Sequence, residues 1–479
     1  MRNWIMTGIF LSMTFGFLSG CTSVSTKREF ADVQEQIAAR TKGSVGWSSP
    51  GDDRSTEERI QLALECELTA DAAVEIAFMN NPSLQAEFEE LGIAKADLVQ
   101  AGLLKNPSLT GSFREPDHDG KTNTEFEVKQ DILGLFTLPL RKRLAREQLE
   151  RVKYAIGAAV LNLDKEVRAA FYTLQAAGQM LSMQEKITQA TQAAIQLAER
   201  QIKAGNINDL ALTGYQLAFQ QARMDLAQSK LEVGRAHEEL GRLLGLSKSQ
   251  ISWDIAQGLP YISEDEPSRE MLEAKAIAQN FDLAMARQQV KIMEKQTVVS
   301  RVNMVPEIKG GYNTEREPDG GKLSGPVFEA EIPIFDQKQT GVAGAKARLE
   351  QSKRNLAAKE DEVVSQVRTS YAKLLTTREM IETYRETVIP LHEKFIDSLQ
   401  KHYNYMLVGV YDLLNAKKEE IEAYHKFVDA LKDYWITRSE LEHLAGERFA
   451  VVPTDTSLPE INPEPVMPQQ MHHQGHGGK

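Results

Sequence analysis

Hydrophobic positions follow two different periods along this chain, and the same succession of periods occurs twice. Long segments repeat apolar residues at steps of three and four, which predicts amphipathic helices. Short segments between them alternate apolar and polar residues, which predicts strands with one apolar face. The order helix, strand, loop, strand, helix is therefore written twice. We expect an internally duplicated fold that is mainly α with β.

Alternation identifies four strands, at about 107–114, 123–133, 306–315 and 325–334. In the first strand Leu109, Gly111 and Phe113 share one side, and in the last strand Phe328 and Ile332 do. Such strands fit a half-exposed antiparallel sheet, or the wall of a transmembrane barrel whose apolar side faces lipid. Four strands cannot close a barrel, because the smallest outer-membrane barrels have about eight. A barrel would therefore need several chains, and three chains would supply twelve strands.

The helical segments sustain a seven-residue spacing, as in helices that supercoil around one another. In the first copy the apolar positions are Ile156, Val160, Leu163, Val167, Ala170, Leu174, Ala177 and Leu181. In the second copy they are Val363, Val367, Leu374, Ile381, Tyr384, Val388, Leu391 and Phe395, with polar exceptions at Ser370 and Thr377. We expect two long coiled-coil hairpins, at 140–245 and 341–446. Residues 140–203 alone would extend about 95 Å as a helix.

Two loops between the strands have nearly the same sequence. Arg114–Lys121 reads REPDHDGK, and Arg316–Lys322 reads REPDGGK. Their surroundings match as well, since Val167-Arg168 corresponds to Val367-Arg368 at a spacing of 200. We interpret the similarity as a true internal repeat and not as a chance likeness of two turn-rich loops.

Each helical hairpin turns at a short segment that contains glycine and aspartate. Glycine accommodates the left-handed backbone that often ends a helix, so we expect Gly205 and Gly409 to end the outgoing helices. Asp209 and Asp412 are then candidates to cap the helices that return.

Residues 1–20 have the pattern of an export signal. Arg2 supplies a positive start, and the apolar segment Ile5–Phe17 is too short to span a membrane as a helix. The end of this segment, Leu18-Ser19-Gly20-Cys21, resembles a bacterial lipobox, so the mature chain is predicted to begin at a lipidated Cys21. The alternative is an ordinary secretory signal with an incidental cysteine. In the lipoprotein sorting pattern that the lipobox implies, Thr22 in place of Asp favours the outer membrane.

Composition excludes several classes of protein. The 479-residue chain has a net charge of −12, which argues against nucleic acid as a partner. With Cys21 acylated, Cys66 is left without a disulfide partner and is expected to be a small half-buried residue. No HExxH, Walker, GxGxxG or GxSxG motif occurs, so we do not expect an enzyme.

These observations divide the chain into successive segments. We predict a signal peptide, a lipid anchor with a tether, repeat 1, a linker, repeat 2 and a disordered tail, at 1–20, 21–67, 68–258, 259–268, 269–447 and 448–479 respectively.

The duplicated loops, the Asn-Pro-Ser-Leu runs at 81–84 and 106–109, and the paired Gly-to-Asp turns resemble those of TolC-family outer-membrane efflux factors. The likeness covers roughly Leu68–Gly446, and the lipidated form is most similar to the heavy-metal efflux branch. The resemblance implies a homotrimer with a long α-helical barrel and a twelve-stranded transmembrane β-barrel, four strands coming from each protomer. It also implies three kinds of partner: outer-membrane lipid, a periplasmic adaptor protein and an inner-membrane efflux pump.

The resemblance also assigns roles to the turns. The adaptor-docking tips correspond to Gly205, Asp209, Val408, Gly409 and Val410. Asp412 lies where the family places an aspartate that lines the periplasmic constriction, and Asn415 replaces a second such aspartate.

Residues near the C-terminus could hold metal. Thioether and imidazole groups are preferred ligands of copper and silver. The candidates are Met467, Met471, His472, His473 and His476. We expect no cofactor apart from the lipid on Cys21 and transient copper or silver binding in this tail. A tail without a role in transport is the alternative.

We therefore expect a passive outer-membrane duct of a tripartite efflux system, carrying heavy-metal ions such as copper or silver. Two alternatives stay open. The chain could be a structural periplasmic coiled-coil lipoprotein, or a duct of the same family for organic compounds.

Overall fold

The computed structural model describes residues 25–41, 53–115, 117, 121–246, 253–405 and 407–450. Cys21 and the five tail residues proposed as metal ligands lie outside these ranges. The helices of the first half are α1 (Lys27–Thr41), α2 (Asp53–Leu64), α3 (Ala70–Asn80), α4 (Pro82–Ala101), α5 (Leu133–Lys203) and α6 (Asp209–Leu243). Those of the second half are α7 (Arg269–Gln279), α8 (Phe281–Val302), α9 (Gln339–Thr383), α10 (Ile389–Asn404) and α11 (Val410–Ala445). The strands are β1 (Ser108–Arg114), β2 (Asn123–Asp131), β3 (Ile308–Arg316) and β4 (Lys322–Ala330).

The described helices include none with both the length and the apolar composition needed to cross a lipid bilayer.

The four strands form one antiparallel sheet in the order β1-β2-β3-β4. The pairing of β2 with β3 joins the two repeats, because each of these strands comes from a different copy. The predicted strands were close to the observed ones except for the last, which was placed at 325–334 and instead ends at Ala330. Beyond Ala330 the Ile334 N–H bonds to the Ile332 carbonyl, and Pro333 has no N–H to donate, so the ladder stops.

Helices α1 and α2 occupy much of the segment predicted to be a tether, and that prediction was wrong. Phe30, Val33 and Ile37 recur at steps of three and four on α1, and the last two are buried. The Phe30 ring meets Phe88 edge to face, with 6.4 Å between centroids. The polar composition of this segment concealed an amphipathic helix that packs on α4.

The buried positions of α5 and α9 follow the predicted spacing over most of their length. Val363, Val367, Leu374 and Ile381 are buried, as are the polar exceptions Ser370 and Thr377. Thr377 can be buried because its hydroxyl donates to the Lys373 carbonyl of the same helix at 2.9 Å.

The spacing fails after Ile381, because a π-helical turn follows at Tyr384–Val388. Ile389 is buried there, while Leu391 and Phe395, which were predicted to continue the buried series, are exposed. A π turn adds one residue to the helical repeat and so rotates the buried face. Pro390 explains its position, since proline cannot donate the regular helical hydrogen bond.

The duplication is visible in matched helix ends. The Asn81 side chain donates to the Leu243 carbonyl at 2.8 Å, and the Asn280 side chain donates to the Leu444 carbonyl at 3.2 Å. Each return helix is followed by a glycine in the left-handed region, Gly245 (φ 73°) and then Gly446 (φ 72°). A Cβ on Gly245 would lie 2.3 Å from the Asn80 carbonyl oxygen, so this position has no room for a side chain.

The predicted linker at 259–268 packs closely against α11. Leu259, Ile262 and Ser263 are buried. The Pro260 carbonyl accepts a bond from the Trp435 indole N–H at 2.8 Å, and the Ser263 N–H donates to the Tyr434 hydroxyl at 3.1 Å. The connection between the repeats is therefore a fixed part of the helical core.

The chain divides into two compact units, and each repeat contributes to both. The first unit includes Ala86–Ala158 and Phe281–Asp361, and therefore contains the whole sheet. The second unit includes Ile37–Gln85 and Ala159–Asn280, and continues from Glu362 through α11. Cys66, in the second unit, is exposed and not half-buried as expected.

Candidate functional site: a two-faced sheet and paired helical turns

The register of the sheet separates apolar from charged residues. Leu109 pairs with Val128, Val128 with Tyr312 and Tyr312 with Pro326, so one row of apolar side chains crosses all four strands on the same face. Side chains alternate between faces along a strand, so every second residue of each strand belongs to this apolar face. Its members are Leu109, Gly111, Phe113, Thr124, Phe126, Val128, Gln130, Ile308, Gly310, Tyr312, Thr314, Arg316, Lys322, Ser324, Pro326, Phe328 and Ala330.

Large side chains on the apolar face are open to the surroundings. Leu109 is 72% exposed and Phe328 is 75% exposed. Phe113 and Tyr312 are also exposed. Monomeric soluble proteins rarely leave an apolar area of this extent uncovered. The face is therefore suited to contact lipid or another apolar surface.

The opposite face is charged and internally bonded. The Lys129 ammonium lies 2.8 Å from the Glu127 carboxylate and 2.9 Å from that of Glu329, which also lies 2.9 Å from Lys309. The Asn313 side-chain amide donates to Glu125 at 2.6 Å. These bonds link β2, β3 and β4 across a surface that water can wet.

Gly311 lies on the polar face where two strands approach closely. A Cβ there would lie 2.1 Å from the Val128 carbonyl oxygen. No sequence pattern predicts this requirement, because the neighbouring Gly310 obeys the alternation equally well.

In the second unit, the first helical turn joins α5 to α6. Gly205 has φ 75°, and the Asn206 N–H bonds to the Gln201 carbonyl at 2.9 Å, as in a helix end closed by a left-handed glycine. The prediction that Gly205 ends the outgoing helix is confirmed, and its docking role stays a prediction. The predicted cap was wrong: the Asn208 side chain, not that of Asp209, accepts the Ala211 N–H at 2.9 Å. Asp209 is the first residue of α6, where its charge favours the positive end of the helix.

The second turn joins α10 to α11 and differs from the first. Gly409 has φ −86° and is the N-cap of α11, so it does not relieve left-handed strain as predicted. The Asp412 carboxylate accepts the Gly409 N–H at 2.9 Å, so its predicted capping role is confirmed. Val408 precedes this cap, and Val410 begins the helix. Asp412 and Asn415 are both exposed, and the gate role of Asp412 stays a prediction.

The two turns are held together by a small apolar core. Ala198 of α5 and Tyr215 of α6 are its buried centre. Around them pack Ala194, Ile195, Ile207, Ala211, Leu212, Tyr403 and Leu414. Burial and then the neighbouring Tyr403 hydroxyl raise the pKa of Tyr215, so it stays neutral. Gly214 leaves space for the Tyr411 ring, whose Cε2 would lie 3.0 Å from an added Cβ.

Exposed apolar side chains surround the turns. Leu407 is 69% exposed and Leu210 is 67% exposed, while Tyr405 is also open. The docking tips expected from the sequence, Gly205, Asp209, Val408, Gly409 and Val410, do not include these exposed residues. A sequence pattern could have identified them, since each is an apolar residue next to a turn and outside the seven-residue spacing of the buried positions.

A partly buried ionic cluster joins α3, α5 and the segment after α11, with Asp164 and Arg168 buried and Asp71 at its exposed edge. Arg168 contacts Asp71 and bonds to Asp164 at 2.9 Å, while Arg448 lies 2.8 Å from Asp164 and 3.1 Å from Asp71. Burial disfavours the charge on Asp71, but Arg168 and Arg448 outweigh it and hold the pKa of that carboxyl below its usual value. The cluster fixes the position at which the chain leaves α11. Sequence reasoning missed it, because no local pattern links Asp71 to Arg448.

Among the described residues, no group of three or more His, Cys, Asp or Glu side chains is arranged to hold a metal ion. The proposed metal ligands of the tail lie outside those residues, and their role stays a prediction.

Comparison with known proteins identifies relatives of two kinds. The sequence profile of the outer membrane efflux protein family matches residues 73–246 and 272–447. The cobalt-zinc-cadmium resistance protein CzcC of Cupriavidus metallidurans is 21% identical over 388 residues, which cover 79% of this chain and 90% of CzcC. The alkaline protease secretion protein AprF of Pseudomonas aeruginosa is 25% identical over 413 residues, covering 78% of this chain and 83% of AprF.

A crystal structure of CusC, determined to follow folding and transmembrane channel formation, has the same fold. It superposes with a TM-score of 0.68 at 18% identity, covering 80% of this chain and 93% of CusC.

Proposed function

The chain belongs to the outer membrane efflux protein family, and on that premise we propose that copies of it assemble into a passive efflux duct through the outer membrane. The expectation of a TolC-family efflux factor is confirmed by the family match and by the likeness to CzcC and CusC. The observation that carries the proposal is the two-faced sheet, with its open apolar face and its hydrogen-bonded polar face. In an assembled wall the first face would meet lipid and the second would meet the aqueous passage.

Four strands cannot form a closed wall, so the duct requires several copies. We propose a homotrimer, in which twelve strands close a barrel and the long helices form a second barrel in the periplasm. Exposed apolar residues on α6 support helix packing between copies. They recur every seven positions, at Leu210, Leu217, Met224 and Leu231. This spacing is the one that packs knobs into the holes of a neighbouring helix.

The helical turns are the proposed contact with a periplasmic adaptor and, through it, with an inner-membrane pump. Leu210 and Leu407 are exposed beside the turns and would supply apolar contacts. If so, Leu407→Glu should abolish export while assembly is unchanged, whereas Leu375→Glu, an exposed leucine far along α9 from this turn, should leave docking intact. Normal export by the Leu407→Glu variant would remove the docking role from this turn.

Heavy-metal ions are the proposed substrate, because one relative is a cobalt-zinc-cadmium resistance protein and the sequence ends in Met and His residues. The second candidate is a duct for other cargo, which the likeness to a protease secretion protein favours. Cells that lack the chain should tolerate less copper, silver, zinc or cobalt than cells that carry it. Unchanged tolerance to all four ions would overturn the metal assignment and leave the duct assignment standing.

We also propose that lipid on Cys21 is a secondary anchor to the outer membrane. Metabolic labelling with palmitate should mark the parent chain and not a Cys21→Ala variant. Equal labelling of both would contradict the lipobox interpretation.

The wall itself is tested by adding charge to each face of the sheet. Val128→Arg places a charge on the apolar face, and Thr110→Arg places the same charge on the polar face opposite Glu127. A charge facing lipid at mid-membrane costs about 2–4 kcal/mol in each copy, and much less when it faces water. The yield of detergent-extracted oligomer should therefore fall sharply for Val128→Arg alone. Equal yields from the two variants would show that the sheet is not a membrane wall.

A further inference from the structure

The apolar face ends in a row that carries two cations. Phe113, Thr124, Arg316 and Lys322 pair in turn across the four strands at the end that bears the duplicated loops. Arg316 and Lys322 are directly opposite each other and close the β3–β4 hairpin. Like charges in directly opposed positions destabilise a sheet unless something neutralises them.

The rest of the apolar face supplies no counter-charge. All the acidic residues of the strands, Glu125, Glu127, Asp131, Glu315 and Glu329, alternate onto the opposite face. Both cations are exposed, and no ion pair joins either of them to a carboxylate within the part of the chain that the structure describes. Arg114, at the same end but on the polar face, does have a carboxylate 3.6 Å away, that of Glu125. Among the described residues, the two cations therefore form an unpaired couple on the apolar face of the sheet.

The position of the pair matches the depth of a lipid headgroup. At roughly 3.4 Å per residue, Arg316 lies about 27 Å along β3 from Ile308. At the strand tilt of about 40° found in outer-membrane barrels, this covers about 21 Å of an apolar band about 25 Å tall, and the long Arg and Lys side chains can reach the boundary from there. The helices α4, α5, α8 and α9 all connect to the strand ends opposite the loops. In the proposed membrane wall, the loop end is therefore the end away from the helix connections.

We propose that Arg316 and Lys322 together bind the phosphate of an anionic membrane lipid at the outer boundary of the sheet. The inference rests on the proposed membrane role of the sheet. The planar guanidinium of Arg316 and the ammonium of Lys322 donate hydrogen bonds to phosphate oxygens, which removes the repulsion between the two cations. The acyl chains of the same lipid lie along the apolar face below, against residues such as Phe328 and Tyr312.

The test compares lipid retention by the full-length protein, measured by native mass spectrometry in neutral detergent. The parent should retain phosphatidic acid in preference to phosphatidylcholine. The double variant Arg316→Gln, Lys322→Gln should lose this preference by about tenfold or more, the loss expected when charge-assisted bonds to phosphate are removed. The matched control Arg114→Gln removes one cation from the same end of the other face and should retain the lipid as the parent does.

Three results of the retention measurement would overturn the proposal. They are equal retention of both lipids by the parent, an equal loss in the Arg114→Gln control, and displacement of phosphatidic acid by millimolar inorganic phosphate, which would indicate a site for free phosphate. Folding is checked by heating without added lipid, where the double variant should dissociate no earlier than the parent because a repulsive pair has been removed. Earlier dissociation would show that the pair has a structural partner and would also overturn the proposal. A negative result for lipid binding would leave the proposed duct standing. The duct is tested separately, because normal assembly of Val128→Arg would overturn it.

Discussion

The Asp164 side chain forms ion pairs with residues that are far apart in the sequence. Its carboxylate is buried and accepts bonds from Arg168 at 2.9 Å and Arg448 at 2.8 Å. Both guanidinium groups depend on carboxylates to compensate their charge. A single substitution at Asp164 therefore leaves two partly buried cations with one carboxylate fewer.

We expect Asp164→Asn to lower the free energy of unfolding of the second unit by about 3 kcal/mol, since breaking a buried ion pair leaves uncompensated charge. The matched control is Glu239→Gln, which breaks an exposed pair with Arg242 of 2.6 Å and should cost less than about 1 kcal/mol. Chemical denaturation followed by circular dichroism measures both. Similar losses of stability in the two variants would show that the cluster around Asp164 contributes no more than an exposed ion pair.

His425 is expected to make the stability of the second unit depend on pH. Burial lowers the pKa of His425 below its usual value of 6.5, although Asp429, Asp225 and Glu422 act in the opposite direction. Its Nε2 is buried and has no hydrogen-bond partner among the described residues. Protonation therefore favours the unfolded chain, where the ring is solvated.

Because the pKa of His425 is lowered in the folded protein, its stability should fall as the pH falls. Above pH 6.5 the ring is neutral in both states and has no effect, and as the pH falls below 6.5 the unfolded state gains protons first. The thermal midpoint of the parent should therefore drop more between pH 7 and pH 5 than that of His425→Gln. His402→Gln, at an exposed position of α10, should behave like the parent. Identical pH profiles for all three proteins would remove His425 as the source.

Sequence reasoning at the level of single residues succeeded where the chemistry is local. Thr69 belongs to a residue type that favours helix starts, and its hydroxyl accepts the Ala72 N–H of α3 at 3.2 Å. Asp412 was likewise expected at a helix start. Asp209 lost its predicted role to the adjacent Asn208, because two good capping residues in succession cannot be ranked by type alone.

At the scale of elements, the two glycine turns look alike in sequence and differ in backbone. We expect Gly205→Ala to cost about 1 kcal/mol, because φ 75° is strained for a residue with a Cβ. Gly409→Ala should be close to neutral, since φ −86° is open to any residue and an added Cβ meets Asp412 Oδ2 only at 3.6 Å. Thermal unfolding of the two variants checks this. A larger loss at Gly409 would contradict the structure of the second turn.

The strands were predicted well because alternation fixes both their location and their faces. The π turn at Tyr384–Val388 was not, since the apolar spacing continued through it and only Pro390 hinted at a break. Helices α1 and α2 were missed for the opposite reason, because a polar composition outweighed a short amphipathic pattern. Periodicity predicts an element reliably over many turns and fails where one residue changes the phase.

At the scale of the whole molecule, the chain is incomplete as a membrane structure. Its sheet exposes Leu109 and Phe328 on one face, and its strands have edges that lipid does not tolerate. The number of strands predicted from the sequence already indicated that one chain cannot close a barrel. Which ion or molecule passes through the duct could not be predicted, because selectivity in such a system depends on partners whose sequences are not part of this chain.

In the proposed duct, one face of the sheet lines a water-filled passage and the other faces lipid. Adjacent residues on β1 test it directly: Thr110 lies on the polar face and Leu109 on the apolar face. Each is replaced by cysteine in a Cys66→Ser background, because Cys66 is itself exposed, and the proteins are reconstituted in planar bilayers. A charged, water-soluble thiol reagent should lower the conductance of Thr110→Cys channels and leave that of Leu109→Cys channels unchanged. Equal modification at both positions, or no conductance from the parent, would show that the sheet does not separate lipid from a water-filled passage.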